Sequence, residues 1–325
     1  MRVKGGIVIA YYKTIDGVTR RIASPQADCW IDVVDPTSDE QRVLLDTLGV
    51  VPEFLRAALD EEESAHIDID DEARQRMVIV DCPVAGELAD PHDPGSVQYK
   101  THPLALLFLQ ERGILITVSL ERNPVVESML SRPTNRIDTT KRMEIFFEIL
   151  LREAQLYPGY LANIGRQFGR IEARLRSSMT NAELISLLDI QKSLVYFSTS
   201  LSSEKSVLDR IATGKVFAYV EDEEELLNDV LVEIAQATEM CNIYTTIVAN
   251  TMGAFGNVIS NNLNTVMKAL AIITVIMTIP NIVFGFYGMN TASLPLAGHW
   301  VYPLAMAIVT CAAALVICVR TGIFK

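Results

Sequence analysis

The sequence predicts an α/β domain followed by a long helical stalk and two transmembrane helices. Short β-like runs alternate with helical segments in the first part of the chain, long helix-forming segments follow, and two nearly uncharged apolar stretches come last. The boundaries that we expect are 1–135 for a cytosolic α/β domain, 136–215 for antiparallel long helices of that domain, 216–265 for the stalk, 266–290 and 300–319 for transmembrane helices, 291–299 for an external loop, and 320–325 for a cytosolic C-terminus.

The first part of the chain has the pattern of a mixed sheet with covering helices. Two segments have the composition of helices, Ser38 to Leu48 and Pro52 to Glu61. Five runs are rich in the apolar and β-branched residues that favour strands: Ile7 to Tyr12, Cys29 to Val34, Arg76 to Asp81, Pro103 to Leu109 and Ile114 to Ser119.

Long helices are predicted from Asp138 onward. The segment from Thr139 to Ser178 is interrupted only at Pro158-Gly159, where we expect a kink, and a second helix runs to about Ala212, antiparallel to the first. A third helix opens at Asp222, because acidic residues are favourable at the positive end of the helix dipole. Its apolar residues then alternate three and four apart along a heptad seam: Leu227, Val230, Ile234, Ala237, Cys241, Tyr244, Val248, Thr251, Phe255 and Val258.

Two apolar stretches are long enough to cross a bilayer. The stretch from Val266 to Tyr287 contains one charge, Lys268, and the stretch from Trp300 to Val319 contains none. A helix needs roughly 20 apolar residues to span a hydrocarbon core of about 30 Å. The stalk runs into the first stretch without a proline, which predicts one helix of about 65 residues, on the order of 100 Å long at ~1.5 Å per residue. A buried hairpin in a soluble protein is the alternative.

Polar and small residues of the first span fall on one face of the predicted helix. An amide or hydroxyl facing hydrocarbon lacks a hydrogen-bond partner, so this stripe must face protein or water. It either packs against another helix or lines a pore, and a pore requires a symmetric ring of several chains. The stripe recurs at steps of three and four: Asn264, Met267, Ala271, Thr274, Thr278, Asn281, Gly285 and Gly288.

Flanking charges predict the orientation in the membrane. Lys268 lies at the inner end of the first span, Arg320 and Lys325 follow the second, and the loop between the spans has neither Lys nor Arg. Positive residues favour the cytoplasmic side, so we expect a cytoplasmic membrane protein with both termini in the cytosol. The N-terminal segment lacks a basic-then-apolar leader, so we expect no signal peptide.

The charge and motif content narrow the function. A net charge of −12, concentrated before the first span, disfavours nucleic acid and is compatible with cation ligands. We find no phosphate loop, nucleophile elbow or metalloprotease helix, so an enzyme is not expected.

Gly288-Met289-Asn290 at the end of the first span resembles the signature of the CorA family of divalent-cation transporters. The tripeptide gains specificity from its position after one span and before a short loop and a terminal span. The segments from Asn264 to Lys268 and from Trp30 to Val33, the latter followed by Pro36-Thr37, are also similar to the family. The resemblance covers essentially the whole chain.

The resemblance implies a homopentameric Mg²⁺ channel that is regulated by Mg²⁺ in the cytosol. The Asn290 amide and the Gly288 carbonyl would hold the hydrated ion in a filter formed by Gly288, Met289 and Asn290. Tyr287 would either brace the mouth or serve as an aromatic anchor at the membrane interface. Met267 and Leu270 are similar in position to the family's apolar constriction. The residues that would line the pore are Asn264, Met267, Leu270, Ala271, Thr274, Thr278, Asn281, Gly285 and Tyr287.

A regulatory metal site is implied by the same resemblance. Asp229 falls where the family carries an acidic residue of its stalk helix. The acidic residue that would share the metal ion with it is not determined, and the candidates are Asp81, Asp90 and Asp93. The external loop departs from the family, because Ser293 to Leu296 replaces an acidic motif. Cation capture at the mouth would then be weaker or come from the amide ring alone.

Two other functions stay open from the sequence. One is a proton-coupled Zn²⁺ transporter of the ZntB type, for which His299 would matter, although Met289 argues against it. The other is a membrane-tethered scaffold with no pore. Selectivity among Mg²⁺, Co²⁺, Ni²⁺ and Zn²⁺ is open as well.

Overall fold

The computed structural model describes residues 9–88, 97–130, 137–177, 181–289 and 301–320. The chain divides into two compact units, Met1–Ala249 and Asn250–Lys325. The first unit contains a mixed sheet with helices on both of its faces, and the second contains the end of one long helix and a terminal apolar helix. The predicted fold class, an α/β domain with a long helix and C-terminal apolar helices, is therefore confirmed.

The sheet of the first unit has seven strands in the order β2-β1-β3-β7-β6-β5-β4. Every neighbouring pair is antiparallel except β3 and β7, which run parallel with Ile31 opposite Ile116. The strands are β1 (Ile9–Ile15), β2 (Val18–Ile22), β3 (Trp30–Val34), β4 (His66–Asp70), β5 (Gln75–Leu88), β6 (Val97–Leu109) and β7 (Ile114–Ser119).

One face of the sheet is covered by a short helical segment. Helix α1 (Ser38–Arg42) begins at Thr37, whose hydroxyl accepts from the Glu40 backbone while the Glu40 carboxylate accepts from the Thr37 backbone. Such a capping box satisfies two amide hydrogens that a helix start leaves free. A π-helical turn over Val43–Thr47 and helix α2 (Pro52–Ala58) follow. The core beneath them includes Ile31, Leu44, Phe54, Met77, Ile79, Leu107 and Ile116.

Longer helices cover the other face. They are α3 (Pro124–Leu130), α4 (Arg142–Ala154), α5 (Leu156–Ser177) and α6 (Asn181–Ala212). Phe108 of β6 packs edge to face against Phe146 of α4, with ring centroids 5.4 Å apart. Val78 and Leu106, which alternate with the core residues of the first face, are fully buried. Because side chains alternate between the two faces of a strand, the sheet contributes to two separate hydrophobic cores, one on each face.

The helical region breaks earlier than the sequence predicts. The interruption expected at Pro158-Gly159 falls one turn earlier, because α4 ends at Ala154 and α5 starts at Leu156. Pro158 then lies in the first turn of α5, where an amide hydrogen has no partner within the helix and its loss costs little.

Helix α7 (Glu221–Tyr287) is continuous over 67 residues, as predicted. Its heptad seam is largely buried from Leu227 to Val248 within the first unit. The Cys241 thiol contacts the Leu194 carbonyl oxygen of α6 at 3.4 Å. A Cβ on Gly165 of α5 would lie 2.7 Å from the Tyr244 hydroxyl oxygen, so only glycine permits this approach. The seam therefore packs against helices of its own chain.

Three elements of the described chain were not predicted, namely β2, β4 and α3. β4 does have the period-two alternation of a strand, with Ile67 and Ile69 between polar residues, but it lies between the acidic runs 60–63 and 70–72, whose composition indicates acidic surface. β5 extends to Leu88, and β6 begins at Val97. Residues 89–96 lie outside the described residues.

Leu150 tests the packing of α4 on the sheet. Its side chain is 0% exposed, so Leu150→Ala removes buried methyl groups and should cost about 2–5 kcal/mol of stability. Leu150→Met keeps the volume and should cost less than about 1.5 kcal/mol. Thermal unfolding of the detergent-purified protein, followed by circular dichroism, measures both. Equal melting temperatures for the two variants would contradict this packing.

Candidate functional site

The predicted polar stripe lies along the exposed part of α7 in the second unit. Met267, Leu270 and Met289 are 57–63% exposed, and Tyr287 is half-buried. No Asp, Glu, Lys or Arg occurs between Lys268 and Met289. The other stripe residues are all exposed: Asn264, Ala271, Thr274, Thr278, Asn281, Gly285 and Gly288.

The opposite face of α7 packs against α8 (Val301–Arg320). Buried or half-buried residues on α7 are Ile272, Ile276, Ile279, Pro280, Val283 and Tyr287. On α8 the corresponding residues are Pro303, Met306, Ala307, Cys311 and Ala314. At about 100° of rotation per residue, the stripe points roughly 180° away from the packed face of α7. Tyr287, which was expected to line the pore, lies on the packed face of α7 instead of the stripe face.

The hydroxyls of the stripe are held by the helix itself. Thr274 Oγ1 donates to the Leu270 carbonyl oxygen at 2.9 Å, and Thr278 Oγ1 donates to the Thr274 carbonyl oxygen at 2.7 Å. A threonine that donates its proton to the preceding turn keeps its lone pairs directed outward. The stripe therefore presents neutral oxygen acceptors, which suit a hydrated cation.

Pro280 leaves a carbonyl group of α7 without its usual helical donor. A proline has no backbone amide hydrogen, so the Ile276 carbonyl oxygen, four residues earlier, loses its intrahelical partner. Cys311 of α8 supplies a replacement, with its sulfur 3.7 Å from that oxygen. The proline signals a free carbonyl in the sequence, but the sequence alone does not reveal which group satisfies it.

The end of α7 carries the first two residues of the predicted filter. The Gly288 amide donates to the Phe284 carbonyl oxygen at 2.8 Å, and the Met289 amide to the Phe286 carbonyl oxygen at 3.4 Å. A Cβ on Gly288 would lie 3.1 Å from the Phe284 carbonyl oxygen, which is tighter than most side chains tolerate. Asn290, the loop with Ser293 to Leu296, and His299 lie outside the described residues.

The predicted regulatory residue lies on the surface of the first unit. Asp229 of α7 is exposed. Asp81 is only 8% exposed, its carboxyl is hydrogen-bonded to Ser200, and burial raises its pKa, so it is poorly placed to share a metal with another subunit. Asp90 and Asp93 lie outside the described residues. Among the described residues, no group of three or more His, Cys, Asp or Glu is placed to hold a metal ion.

The length and composition of α7 allow it to cross a membrane, and α8 contains a shorter apolar helix over Val301–Ile317. A family described as CorA-like Mg2+ transporter protein matches residues 26–320. The chain is 23% identical over 293 residues to the cobalt/magnesium transport protein CorA of Methanocaldococcus jannaschii, with 86% of each chain covered.

Solved structures show the same fold. The complete structure of the CorA magnesium transporter from Methanocaldococcus jannaschii superposes with a TM-score of 0.76 at 19% identity, covering 98% of this chain and 99% of that one. The ZntB cytoplasmic domain from Vibrio parahaemolyticus gives a TM-score of 0.58 at 12% identity, covering 78% of this chain and 96% of that one.

These findings define the class of the molecule as a membrane transport protein. The chain belongs to the CorA-like Mg²⁺ transporter family, which confirms the resemblance that the Gly-Met-Asn segment carries.

The contact between Cys311 and Ile276 predicts a coupling between α8 and Pro280. Cys311→Ala removes the donor and should cost about 0.5–1.5 kcal/mol of stability. In a Pro280→Ala background the restored amide hydrogen satisfies Ile276, so the same substitution should cost less. Thermal unfolding of the four proteins in detergent gives this cycle, with Cys311→Ser as the control that keeps a donor. Additive effects of the two substitutions would refute the contact.

Proposed function

We propose that this protein is a homopentameric channel that admits Mg²⁺ across the cytoplasmic membrane, with both termini in the cytosol. Co²⁺ is a second candidate ion, because the Methanocaldococcus jannaschii relative is a cobalt/magnesium transport protein. The membrane potential would drive influx with about 2.3 kcal/mol per charge per 100 mV, doubled for a divalent ion.

One observation carries this proposal, namely that the polar stripe of α7 faces away from α8. The partner helix of the same chain does not cover the stripe, so its amides and hydroxyls need another environment within the membrane. Copies of the chain arranged around an axis would supply that environment as a water-filled lumen. Small-residue packing between α7 helices of different copies would cover the stripe too, but it would leave no path for ions.

The chemistry of the stripe suits a hydrated Mg²⁺ ion. Mg²⁺ releases water reluctantly and prefers octahedral oxygen coordination, so neutral oxygens that contact its hydration shell admit it more easily than carboxylates that strip it. In our proposal the Asn290 amides and the Gly288 carbonyls form the outer ring, and Asn281, Thr278 and Thr274 follow inward.

The inner part of the proposed pore is a hydrophobic gate. Met267 and Leu270 present exposed apolar side chains on the stripe, and a ring of such residues closes a pore by excluding water. Asn264 marks the cytosolic exit. Tyr287 packs edge to face against Phe286, with ring centroids 5.8 Å apart, and would brace the mouth from the α8 side of the helix.

Gating in this proposal depends on Mg²⁺ bound at Asp229 between neighbouring cytosolic units. A bound cation would neutralise the repulsion between acidic surfaces and favour the closed ring, and its loss would allow the subunits to separate. Asp229 is exposed, as a ligand shared between subunits must be.

Proton-coupled Zn²⁺ transport is the alternative. The first unit shares its fold with the ZntB cytoplasmic domain, although at 12% identity this likeness concerns the fold alone. Met289 favours the channel, because the ZntB type usually varies this position of the tripeptide.

The threonines of the stripe test the pore directly. Thr278→Val keeps the shape of the side chain but removes the oxygen, and should lower Mg²⁺ flux into proteoliposomes about tenfold through the loss of one polar contact to the ion's hydration shell. Thr310→Val is the matched control, because Thr310 is also bonded to its own helix but lies on α8. Equal flux in the two variants would show that the stripe does not line a path for ions.

The same assay separates the candidate functions. The channel predicts Mg²⁺ flux that is lost in Asn290→Ala and does not respond to a pH gradient. Zinc uptake that requires a pH gradient would favour the ZntB type. Absence of flux for every ion would favour a membrane-tethered scaffold.

Asp229 tests the regulation. Asp229→Asn should shift the Mg²⁺ concentration that half-inhibits flux upward, on the order of tenfold, because one regulatory ligand is lost. Glu239→Gln removes an exposed acid from the same helix and serves as the control. Inhibition curves measured against internal Mg²⁺ in proteoliposomes compare the variants, and an unshifted curve for Asp229→Asn would remove Asp229 from the regulatory site.

A further inference from the structure

Three carboxyl groups are buried near one another in the interior of the first unit. Asp81 comes from β5, Glu153 from α4 and Glu204 from α6, and they are 8%, 1% and 0% exposed. The charges of Asp81 and Glu153 both act on Glu204. Carboxylates are almost never fully buried in proteins unless a cation or several hydrogen bonds compensate for the lost water.

The hydrogen bonds of this cluster are incomplete. Asn123 Nδ2 donates to Glu153 Oε1 at 2.7 Å, and the Cys82 thiol also bonds to the Glu153 carboxyl. Glu153 Oε2 and both carboxyl oxygens of Glu204 have no hydrogen-bond partner in the described part of the chain. Ionised carboxylates in this position would leave charged acceptors both desolvated and unpaired, which is among the costliest arrangements in a protein interior.

The groups that surround the cluster are acidic or neutral. Burial is the main cause of the perturbation of Glu204, and the neighbouring charges that act on it are carboxylates. Tyr157 of α5 is fully buried beside the cluster and donates its hydroxyl to the Asp81 backbone oxygen at 2.9 Å, not to a carboxyl. The facing groups are Asp81 and Cys82 from β5, Asn123 from the segment before α3, Glu153 from α4, Tyr157 from α5 and Ser200 from α6.

Burial raises the pKa of every carboxyl in the cluster. The pKa of Glu153 rises from 4.5 to about 7, mainly through loss of water, although the bonds from Asn123 and Cys82 oppose the rise. The pKa of Glu204 rises well above its usual value because burial is complete and two further carboxyls lie nearby. Both effects favour the neutral acid.

A proton fits this cluster better than a metal ion. The described Asp, Glu, His and Cys residues provide no group of three that is placed to chelate a metal. A proton removes the charge of a buried carboxyl and also converts one of its oxygens from an acceptor into a donor.

We propose that Glu204 and Glu153 form an internal proton-binding site of the first unit, and that release of its protons destabilises the packing of α4 and α6 on the sheet. The site does not depend on the proposed transport function, because it lies entirely within the first unit and is tested without ion flux.

The direction of the pH dependence follows from the raised pKa values. A native state that binds a proton more tightly than the unfolded chain has its full stability below the unfolded pKa of about 4.5. The stability contributed by Glu153 is lost as the pH rises through about 7. The stability contributed by Glu204 is lost at still higher pH. Each unit by which a pKa is raised corresponds to about a tenfold change in the folding equilibrium constant.

Thermal unfolding of the full chain in detergent, from pH about 5 to about 9, tests the proposal. We expect the melting temperature of the wild type to fall relative to that of Glu204→Gln as the pH rises. Buried His102 of β6, whose pKa is lowered by burial, stabilises both proteins as the pH rises and therefore cancels in this comparison. Glu204→Gln keeps the size of the side chain and cannot ionise, so its folding equilibrium constant at the alkaline end should exceed that of the wild type by about tenfold or more. Glu239→Gln, an exposed control, should keep the wild-type pH dependence.

Infrared spectroscopy detects the protonated acids without relying on stability. We expect the carbonyl stretch of a neutral carboxylic acid in the wild type at neutral pH, and its partial loss in Glu204→Gln. If that variant does not fold, Glu153→Gln provides the same two measurements, with the loss of pH dependence centred near the Glu153 pKa of about 7.

Two results would overturn the proposal. Wild-type pH dependence in both glutamine variants, together with no neutral-acid stretch, would show that the carboxyls are ionised. Stabilisation of the wild type by Mg²⁺ alone at neutral pH, lost in Glu204→Gln but not in Asp229→Asn, would show that the cluster binds a cation instead of protons.

Discussion

Burying a polar group without a hydrogen-bond partner is unfavourable in free energy, and this constraint determines how polar groups are arranged in both units of this protein. In a hydrocarbon environment each unsatisfied backbone group costs several kcal/mol, so only helices and closed barrels span membranes. Helix α7 meets this constraint in two ways. Its threonine hydroxyls bond to the preceding turn, and a thiol from α8 contacts the carbonyl that Pro280 leaves free. Its side-chain amides and outward oxygens are left on one face, and the proposed pore places that face in water.

The first unit meets the same constraint at its acidic cluster. Glu153 and Glu204 are buried among carboxyls instead of cations, and their oxygens are only partly hydrogen-bonded. Protonation lowers the cost, which makes the packing of α4 and α6 depend on pH. The two units thus differ in their polar groups. In the second unit neutral oxygens are exposed, and in the first unit ionisable carboxyl groups are buried.

The sequence predicted those features that depend on periodicity and length. The apolar stretch from Val266 to Tyr287 and the seam from Leu227 onward repeat every three or four residues over many turns, so the long helix was predictable from residue spacing. The polar stripe followed from the same spacing. Its position opposite α8 did not, because the packed face is chosen by the partner helix.

Features that depend on tertiary packing could not be predicted from the sequence. Glu204 lies in the segment from Ser202 to Ser206, which reads as a solvated helix turn, yet its side chain is fully buried. Pro158 looked like a break in a helix, but the break falls at Gln155 and leaves Pro158 in a first turn, where proline is harmless. The spacing of apolar residues along a helix predicts how wide its buried face is. It does not predict which polar residue is buried within that face.

The seam of α7 bears on how copies of the chain come together. The seam residues between Leu227 and Val248 are already largely buried within the first unit of the same chain, and Gly165 gives Tyr244 the room it needs there. A newly made subunit can therefore complete this apolar core before it meets another copy. Oligomerisation would then join folded subunits through surfaces other than this seam. A leucine zipper differs, because its helices fold only when they pair with one another.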